Sequence, residues 1–529
     1  MVQSIKKQRQ KITAGLLTIL LLLSVFFNAP AQKKNVLFIA VDDLKPKIGA
    51  FGDKLAITPN IDKLASQGYV FLNAYTQQAV CGPSRSSMLT GWRPDRTKVW
   101  NLKTLIRDKN PNVVTLPQYF KKNGYTVLGT GKIFDPRSVN KQYDEISWSE
   151  PYIFPHQLDT YANQPPKLGY YQSPEYLKLY KRVTDSLIKT GMKPDKIDGY
   201  MRKHYKPSTE KTDVPDNAYE DGAIALDAIN KLDKLAKSGK PFMLMVGFKR
   251  PHLPFVAPTK YWNLYKDEDI PLAPWQKHAI NGPGVAYHTN GELRSYTDIP
   301  DYVVDKSGHI SKEKQKELVH GYYAATSYVD AQIGKVLAAL EEKGLAQNTI
   351  IVLWGDHGWH LGDHGLWAKH TNFEQATRLP LIIYSPEKKH GKTSKPVETL
   401  DIYPTICELA GIPKEPTLQG KSLVPLLDGK KMKLKYAVSQ WPAYRKINGM
   451  GYTIRTKRYR YTEWYKNYRS TQPRNGKTPS ETELYDYKKD PLESRNLVNN
   501  HKYKRTVKKM QALLHDFLDS QIGTDKIPK

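Results

Sequence analysis

"KKNVLFIAVDDL", residues 33–44, is the stretch from which the fold can be read. Val36 to Val41 are apolar without interruption, the pattern of a strand buried on both faces, and such strands belong to parallel sheets covered by helices on either side. The run ends on two adjacent acids, Asp42 and Asp43. Further along, "TPNIDKLASQGYVFLNAY" (58–75) reads as helix, glycine stop and strand, and "TLPQYFKKNGYTVLGTGK" (115–132) repeats it, with Gly124 as the stop and Lys132 at the strand's end. Residues 216–252 give a helix and then "PFMLMVGF", a strand that stops short of His252. Residues 320–358 give a long amphipathic helix, a stop at Gly344 and "TIIVLWG", which runs into Asp356 and His357. Strands alternating with helices predict an α/β fold with a large, mainly parallel sheet flanked by helices.

The segments 137–211 and 258–312 are rich in Pro, Tyr and Lys and read as long insertions over one end of the sheet. After residue 430 the texture changes to the alternation "YTIRTKRYRYTEW" (452–464), which predicts a smaller antiparallel subdomain closed by a helix at 502–520. The chain is thus divided into a leader at 1–31, a catalytic domain at 32–430 and a C-terminal α+β subdomain at 431–529. The leader has a basic start, the apolar run "ITAGLLTILLLLSVFFN" and the small-residue site Ala29-Pro30-Ala31, the layout of a secretory signal peptide. A retained anchor is the competing reading, but the apolar run is short for a bilayer and ends in a cleavage site. Export is expected, to the periplasm of a Gram-negative bacterium or beyond it, with no stable membrane anchor.

The formal charge is +29, and removing the leader takes away only Lys6, Lys7, Arg9 and Lys11. A balance this basic suits a polyanionic partner or simply a solvated lysine-rich surface. For an exported protein, sulfated polysaccharide fits better than nucleic acid, which is not expected as a partner.

Asp42 and Asp43, Lys132, His252, and Asp356 with His357 all fall just past the carboxyl ends of strands, the edge where open α/β sheets bind ligands. An isolated Asp-Asp pair is commonly a turn or a helix cap. Three carboxylates drawn to one edge would repel unless a cation neutralised them, and oxygen donors favour Ca²⁺ or Mg²⁺ over zinc, with His357 leaving zinc open.

Only two cysteines occur, Cys81 and Cys407. In "QAVCGPSRSSMLTGWRP" (78–94), Pro83 marks a turn or first helical position, with a short helix to about Thr90. Its amides, its dipole and Arg85 would all face position 81 and would lower a thiol's pKa. Cys81 could be a bridge to Cys407, a metal ligand or a nucleophile. Cys407, in "TICELAG", reads as a core thiol.

"CGPSRSSMLTG" resembles the Cys-x-Pro-Ser-Arg signature of the formylglycine-dependent sulfatases of the alkaline-phosphatase-like superfamily. The resemblance extends through "NVLFIAVDDL", "GYTVLGTGK", "KRPHLPFVAP", "VLWGDHGWHLGDHGLWAKHTNFEQATRLPLIIYSP" and "ELYDYKKDPLESRNL", and is greatest to the iduronate-2-sulfatase branch and its bacterial polysaccharide-degrading kin. It implies that Cys81 is converted by a formylglycine-generating or sulfatase-maturing enzyme to formylglycine, whose hydrate attacks sulfur and whose second hydroxyl then expels sulfate. It implies that Asp42, Asp43, Asp356 and His357 hold Ca²⁺ together with position 81, and that Arg85 holds the hydrate and the carboxylates. Lys132 and Lys369 would clamp sulfate, and His252 would touch it and protonate the leaving oxygen.

One departure stands out: members often carry histidine three residues after the sulfate-binding lysine, where this chain has Asp135, which could be a base, a substrate contact or neither. A sulfated algal polysaccharide such as ulvan is the expected substrate, with iduronate-2-sulfate in a glycosaminoglycan, or a phosphodiester or phosphonate monoester, as alternatives. Trp100, Lys249, Arg250, Trp359, His360 and Trp367 are candidates for setting sugar choice.

Overall fold

The computed structural model describes residues 33–162, 170–299, 310–443 and 448–526, so the leader at 1–31 lies outside the described residues. Within the unit Asn35–Lys529, the strands of the large sheet are β1 (Asn35–Val41), β2 (Tyr69–Tyr75), β3 (Thr126–Gly131), β4 (Phe242–Phe248), β5 (Thr349–Gly355), β6 (Arg378–Tyr384), β7 (Gly391–Thr393) and β8 (Val397–Glu398). Their order is β7-β2-β6-β5-β1-β4-β3, with β8 also pairing β2. β1 is parallel to β4 and β5, and β3 to β4. β6 runs antiparallel to both its neighbours, so the sheet is mixed but mainly parallel.

Every residue of β1 is buried, because the pleat sends alternate side chains into two cores. Val36, Phe38 and Ala40 join Met88 and Leu89 of α1 (Cys81–Thr90), Leu116 and Phe120 of α2 (Leu116–Lys122), and Ile402 and Ile406 of α5 (Ile402–Leu409). Leu37, Ile39 and Val41 join Ala228 and Leu232 of α3 (Glu220–Ser238) and Val329 and Ile333 of α4 (Lys312–Glu342). Burying each of the larger of these side chains contributes about 1.5–3 kcal/mol. α2 starts on a capping box between Thr115 and Gln118, and Gly124 beyond it takes a φ of 84° that L side chains rarely adopt.

A second sheet, antiparallel throughout, consists of β9 (Ala437–Pro442), β10 (Gly449–Arg455), β11 (Tyr459–Lys466) and β12 (Glu481–Asp486). Its Val438, Met450 and Tyr461 pack against Met510, Leu514 and Leu518 of α6 (Lys504–Ser520). The insertions carry more order than their composition predicted: helices Pro174–Lys189 and Pro194–His204, and a short ladder between Thr209–Thr212 and Phe255–Pro258. Among the described residues no helix is long and apolar enough to cross a membrane.

Candidate active site

The strand ends are stitched together one residue beyond the ladder. Asp42 N donates to Phe248 O at 3.1 Å, Asp356 N to Val41 O at 3.2 Å and Lys132 N to Gly247 O at 2.7 Å. Backbones approach so closely here that a Cβ on Gly131, whose φ is 75°, would meet Gly247 O at 2.0 Å. Asp43 adopts a left-handed φ of 60°, a conformation costly to a residue with a Cβ. It is held there by Asp356 Oδ1, which accepts from Asp43 N at 3.0 Å, and by the Tyr322 hydroxyl, which donates to Asp43 O at 2.8 Å. Because β6 runs against its neighbours, the segment leading into it arrives at this same edge and delivers Lys369. The residues on either side of Lys369, Ala368 and His370, also have positive φ (76° and 53°).

α1 begins at Cys81 itself, two residues earlier than a start at Pro83, since proline is tolerated anywhere in a first turn that lacks partners for its N–H groups. Cys81 and Cys407 are both free and buried, which excludes a bridge. Cys81 Sγ lies 3.3 Å from His357 Nε2 and 3.9 Å from Asp43 Oδ1. The expected lowering of the thiol's pKa is reversed: burial, then the charge of Asp42, pushes it well above its ordinary value against Lys132 and Lys369. Arg85 is committed elsewhere. It donates to Asp356 at 2.9 Å, to Asp42 at 3.1 Å and to the carbonyls of Lys132 and Ile133. A thiolate nucleophile is therefore poorly served here.

The charges around position 81 are unevenly matched. Burial would raise the Asp42 carboxyl, but Lys132, at 2.6 Å, and Arg85 hold it well below the usual range. Burial pushes Asp43 well above that range despite Lys369 at 3.0 Å. His357 Nδ1 faces the Gly358 carbonyl at 2.9 Å, and a carbonyl only accepts, so Nδ1 carries the proton and Nε2 turns its lone pair to the cluster. The same reasoning fixes His252, whose Nδ1 lies 2.5 Å from Leu253 O. Burial, then Lys369, pushes His252 down to about 3.

Two neighbours escaped sequence reasoning. Glu292, from the second insertion, lies 3.1 Å from Lys369 Nζ and 3.3 Å from His252 Nε2, and His370 stands 3.8 Å from its other oxygen. Burial would raise Glu292, but Lys369, His252 and His370 hold it low.

Asp135 is buried behind Lys132, 4.0 Å from its Nζ. Its carboxylate accepts from Arg137 Nε at 2.9 Å and Nη2 at 2.7 Å. Burial raises Asp135, and the Arg137 hydrogen bonds with the Lys132 charge bring it below its ordinary value, which makes it a weak base. Of the residues expected to choose the sugar, Trp359, His360 and Trp367 are buried in the protein instead. Trp359 underlies Lys369, whose Nζ sits 4.7 Å from the ring centre. The Arg250 guanidinium binds the carbonyls of His252 and Pro254, and Trp100 stacks with Arg469. Of the group, Lys249 and Arg250 line the cavity that opens beside Lys132 and His252.

The sulfatase family model matches residues 34–412, spanning every strand end described above. The chain belongs to the sulfatase family. A second model, the C-terminal part of N-sulphoglucosamine sulphohydrolase, matches residues 362–520. The chain is 34% identical to iduronate 2-sulfatase of Homo sapiens, over 89% of this chain and 92% of that one. It is 33% identical to a sulfatase of Formosa agariphila, over 91% and 86%. A solved 2-O GAG sulfatase shares the fold at a TM-score of 0.63 and 23% identity, over 93% of each chain. This sulfatase is accordingly a hydrolase of sulfate esters.

Whether its residues fit a cation can be judged from the donors. Ligand atoms of Asp42, Asp43, Cys81 and His252 lie within 4.8 Å of one another, as do those of Cys81, Asp356 and His357. Buried carboxylates of which one is pushed toward protonation, beside an imidazole with its lone pair presented, form a donor set that a hard divalent ion would satisfy.

Proposed function

We propose that this sulfatase removes sulfate from a sulfated, uronate-bearing polysaccharide or oligosaccharide, ulvan being one such glycan, with position 81 supplying the attacking atom after conversion of Cys81 to formylglycine. The observation that carries this reading is the convergence of Cys81, three strand-end carboxylates and two lysines on one edge, in a chain similar to iduronate 2-sulfatase over most of its length.

Asp42, Asp43, Asp356 and His357 Nε2 would hold a divalent cation, Ca²⁺ before Mg²⁺, which when bound neutralises the carboxylates and polarises the sulfate. Formylglycine, made by a separate maturing enzyme, would supply a hydrated aldehyde at position 81. Arg85 locks Asp42 and Asp356 in place with two charge-assisted hydrogen bonds. Lys132 and Lys369 turn to the sulfate oxygens as substrate enters, stabilising charge that develops there. His252, neutral in the free protein with Nε2 unprotonated, gains basicity beside the incoming anion, takes up a proton from solvent at Nε2 and then donates that proton to the departing sugar oxygen. The leader supports export, with the periplasm as the proposed compartment.

The test is release of inorganic sulfate from a panel of sulfated oligosaccharides, set against phosphodiesters and phosphonate monoesters, using protein matured in an exporting host. Sulfate release from uronate-containing substrates is expected. Faster turnover of a phosphodiester or phosphonate than of any sulfate ester would contradict the proposal.

A further inference from the structure

Asp135 and Arg137 stand where the sulfate-binding wall turns into the cavity, and they are arranged back to front for a proton acceptor. The acid is buried and the guanidinium half-exposed, its side chain 52% accessible. Asp135 fastens one edge of the guanidinium through Nε and Nη2, and also receives the backbone N–H of Arg137 at 3.0 Å. A side chain that would otherwise sample many rotamers is thereby aimed, and Arg137 lines the cavity. The same Asp135 oxygen lies 2.7 Å from Arg137 and 4.0 Å from Lys132, so the two cations are no further apart than those distances together, a spacing bridged by two substituents of one pyranose ring. The cavity, about 540 Å³, continues past Arg137 to Lys249 and Arg202. Tyr143 and Tyr152, stacked 5.6 Å apart, form part of its wall and suit a sugar.

We propose that Arg137, aimed by Asp135, binds a second anionic group, a carboxylate or a second sulfate, on the sugar whose sulfate ester is cleaved. This rests on the reading above, in which Lys132 marks the position of the scissile sulfate. A planar fork suits either anion, and its partly desolvated setting makes a charge-assisted pair worthwhile.

The experiment compares wild type, Arg137→Ala and Arg137→Lys on three matched sulfate esters: a sulfated uronate, its carboxyl-reduced counterpart, and that counterpart sulfated on the primary hydroxyl. Calorimetric binding of the desulfated uronate and of its reduced form is measured alongside. Wild type should favour the anionic sugars in kcat/KM by about ten- to a hundredfold, and Arg137→Ala should collapse that ratio. Preference for the uronate alone identifies a carboxylate, and preference for the doubly sulfated ester identifies a second sulfate. An unchanged ratio in Arg137→Ala, or equal losses on all three esters, overturns the proposal. Should wild type cleave none of the esters, the hydrolytic reading fails, and binding decides this one: uronate binding abolished by Arg137→Ala upholds anion recognition, and unaffected or absent binding overturns it.

Discussion

Asp95 and Asp43 are both buried carboxylates, one where the small sheet meets the large and the other at the carboxyl edge of the large sheet, and their surroundings are opposite. Asp95 accepts from Trp100 Nε1 at 2.7 Å, Gln440 Nε2 at 2.8 Å, the Tyr452 hydroxyl at 2.5 Å, and Ser470 N and Oγ at 2.8 and 2.6 Å. All these donors are neutral and rigidly placed, so the acid is closed off by its own protein. Asp43 has Lys369 on one side and three other carboxylates nearby (Asp42, Glu292 and Asp356), with imidazole lone pairs facing it. Neutral donors in full number make a structural acid. Mismatched charge, left incomplete beside a cavity, makes a chemical one, because only there can an incoming ion or substrate complete the balance.

The sharpest way to break this contrast is to exchange the two outcomes. Asp43→Asn should lower sulfate release by about a thousandfold or more while leaving the melting temperature unchanged or raised, since it relieves buried repulsion. Asp95→Ala should do the reverse. Unfolding free energy should fall by about 3 kcal/mol or more, as several buried donors lose their acceptor, while turnover per folded molecule persists. Denaturant titration with activity assays on both variants checks the pair.

Asp330 lies between these extremes. It accepts from Asn60 N, Asn60 Nδ2 and Ile61 N at 3.2, 2.8 and 2.7 Å, with no cation among those contacts, and burial outweighs these bonds to push it up to about 6. The folded state thus favours its protonated form. Its stabilisation is complete below the ordinary carboxylate range and is lost as pH rises through about 6, a span of at most about 3 kcal/mol. Asp330→Asn should flatten the fall of melting temperature between roughly pH 4 and 6.5.

The smallest expected effect is at Glu292, which touches the cluster only through Lys369 and His252. Glu292→Gln should reduce kcat about tenfold with little change in stability. Its charge supports protonation of His252, so the alkaline limb of the pH profile should move to lower pH. A limb that stays in place would leave Glu292 as packing alone.

Five strands of the large sheet, β1 to β5, and the polar residues at their ends were legible in the sequence because buried strands announce themselves as apolar runs, and the residues just past such runs gather at one edge; β6, β7 and β8 were not read. Asp42, Asp43, Lys132, Asp356 and His357 are brought together as that rule requires. Glu292 and His370 gave no such signal. Glu292 sits in an insertion without periodicity, and His370 in a strained connection to β6, whose reversed direction no local pattern reveals. Trp359 and Trp367 mislead for a related reason: nearness to a motif in sequence says nothing about which way a ring points, and both rings point into the protein. Asp135 was visible as an oddity, but its meaning depended on Arg137 two residues later, folded back onto it by a tight turn.

The most direct measurement is the mass of the peptide carrying Cys81, taken from protein shown to release sulfate. A peptide about 18 Da lighter than the cysteine form is expected, the signature of an aldehyde in place of the thiol. A plain cysteine in the active protein, or full activity in Cys81→Ala, would contradict the assignment of position 81 as the reacting group.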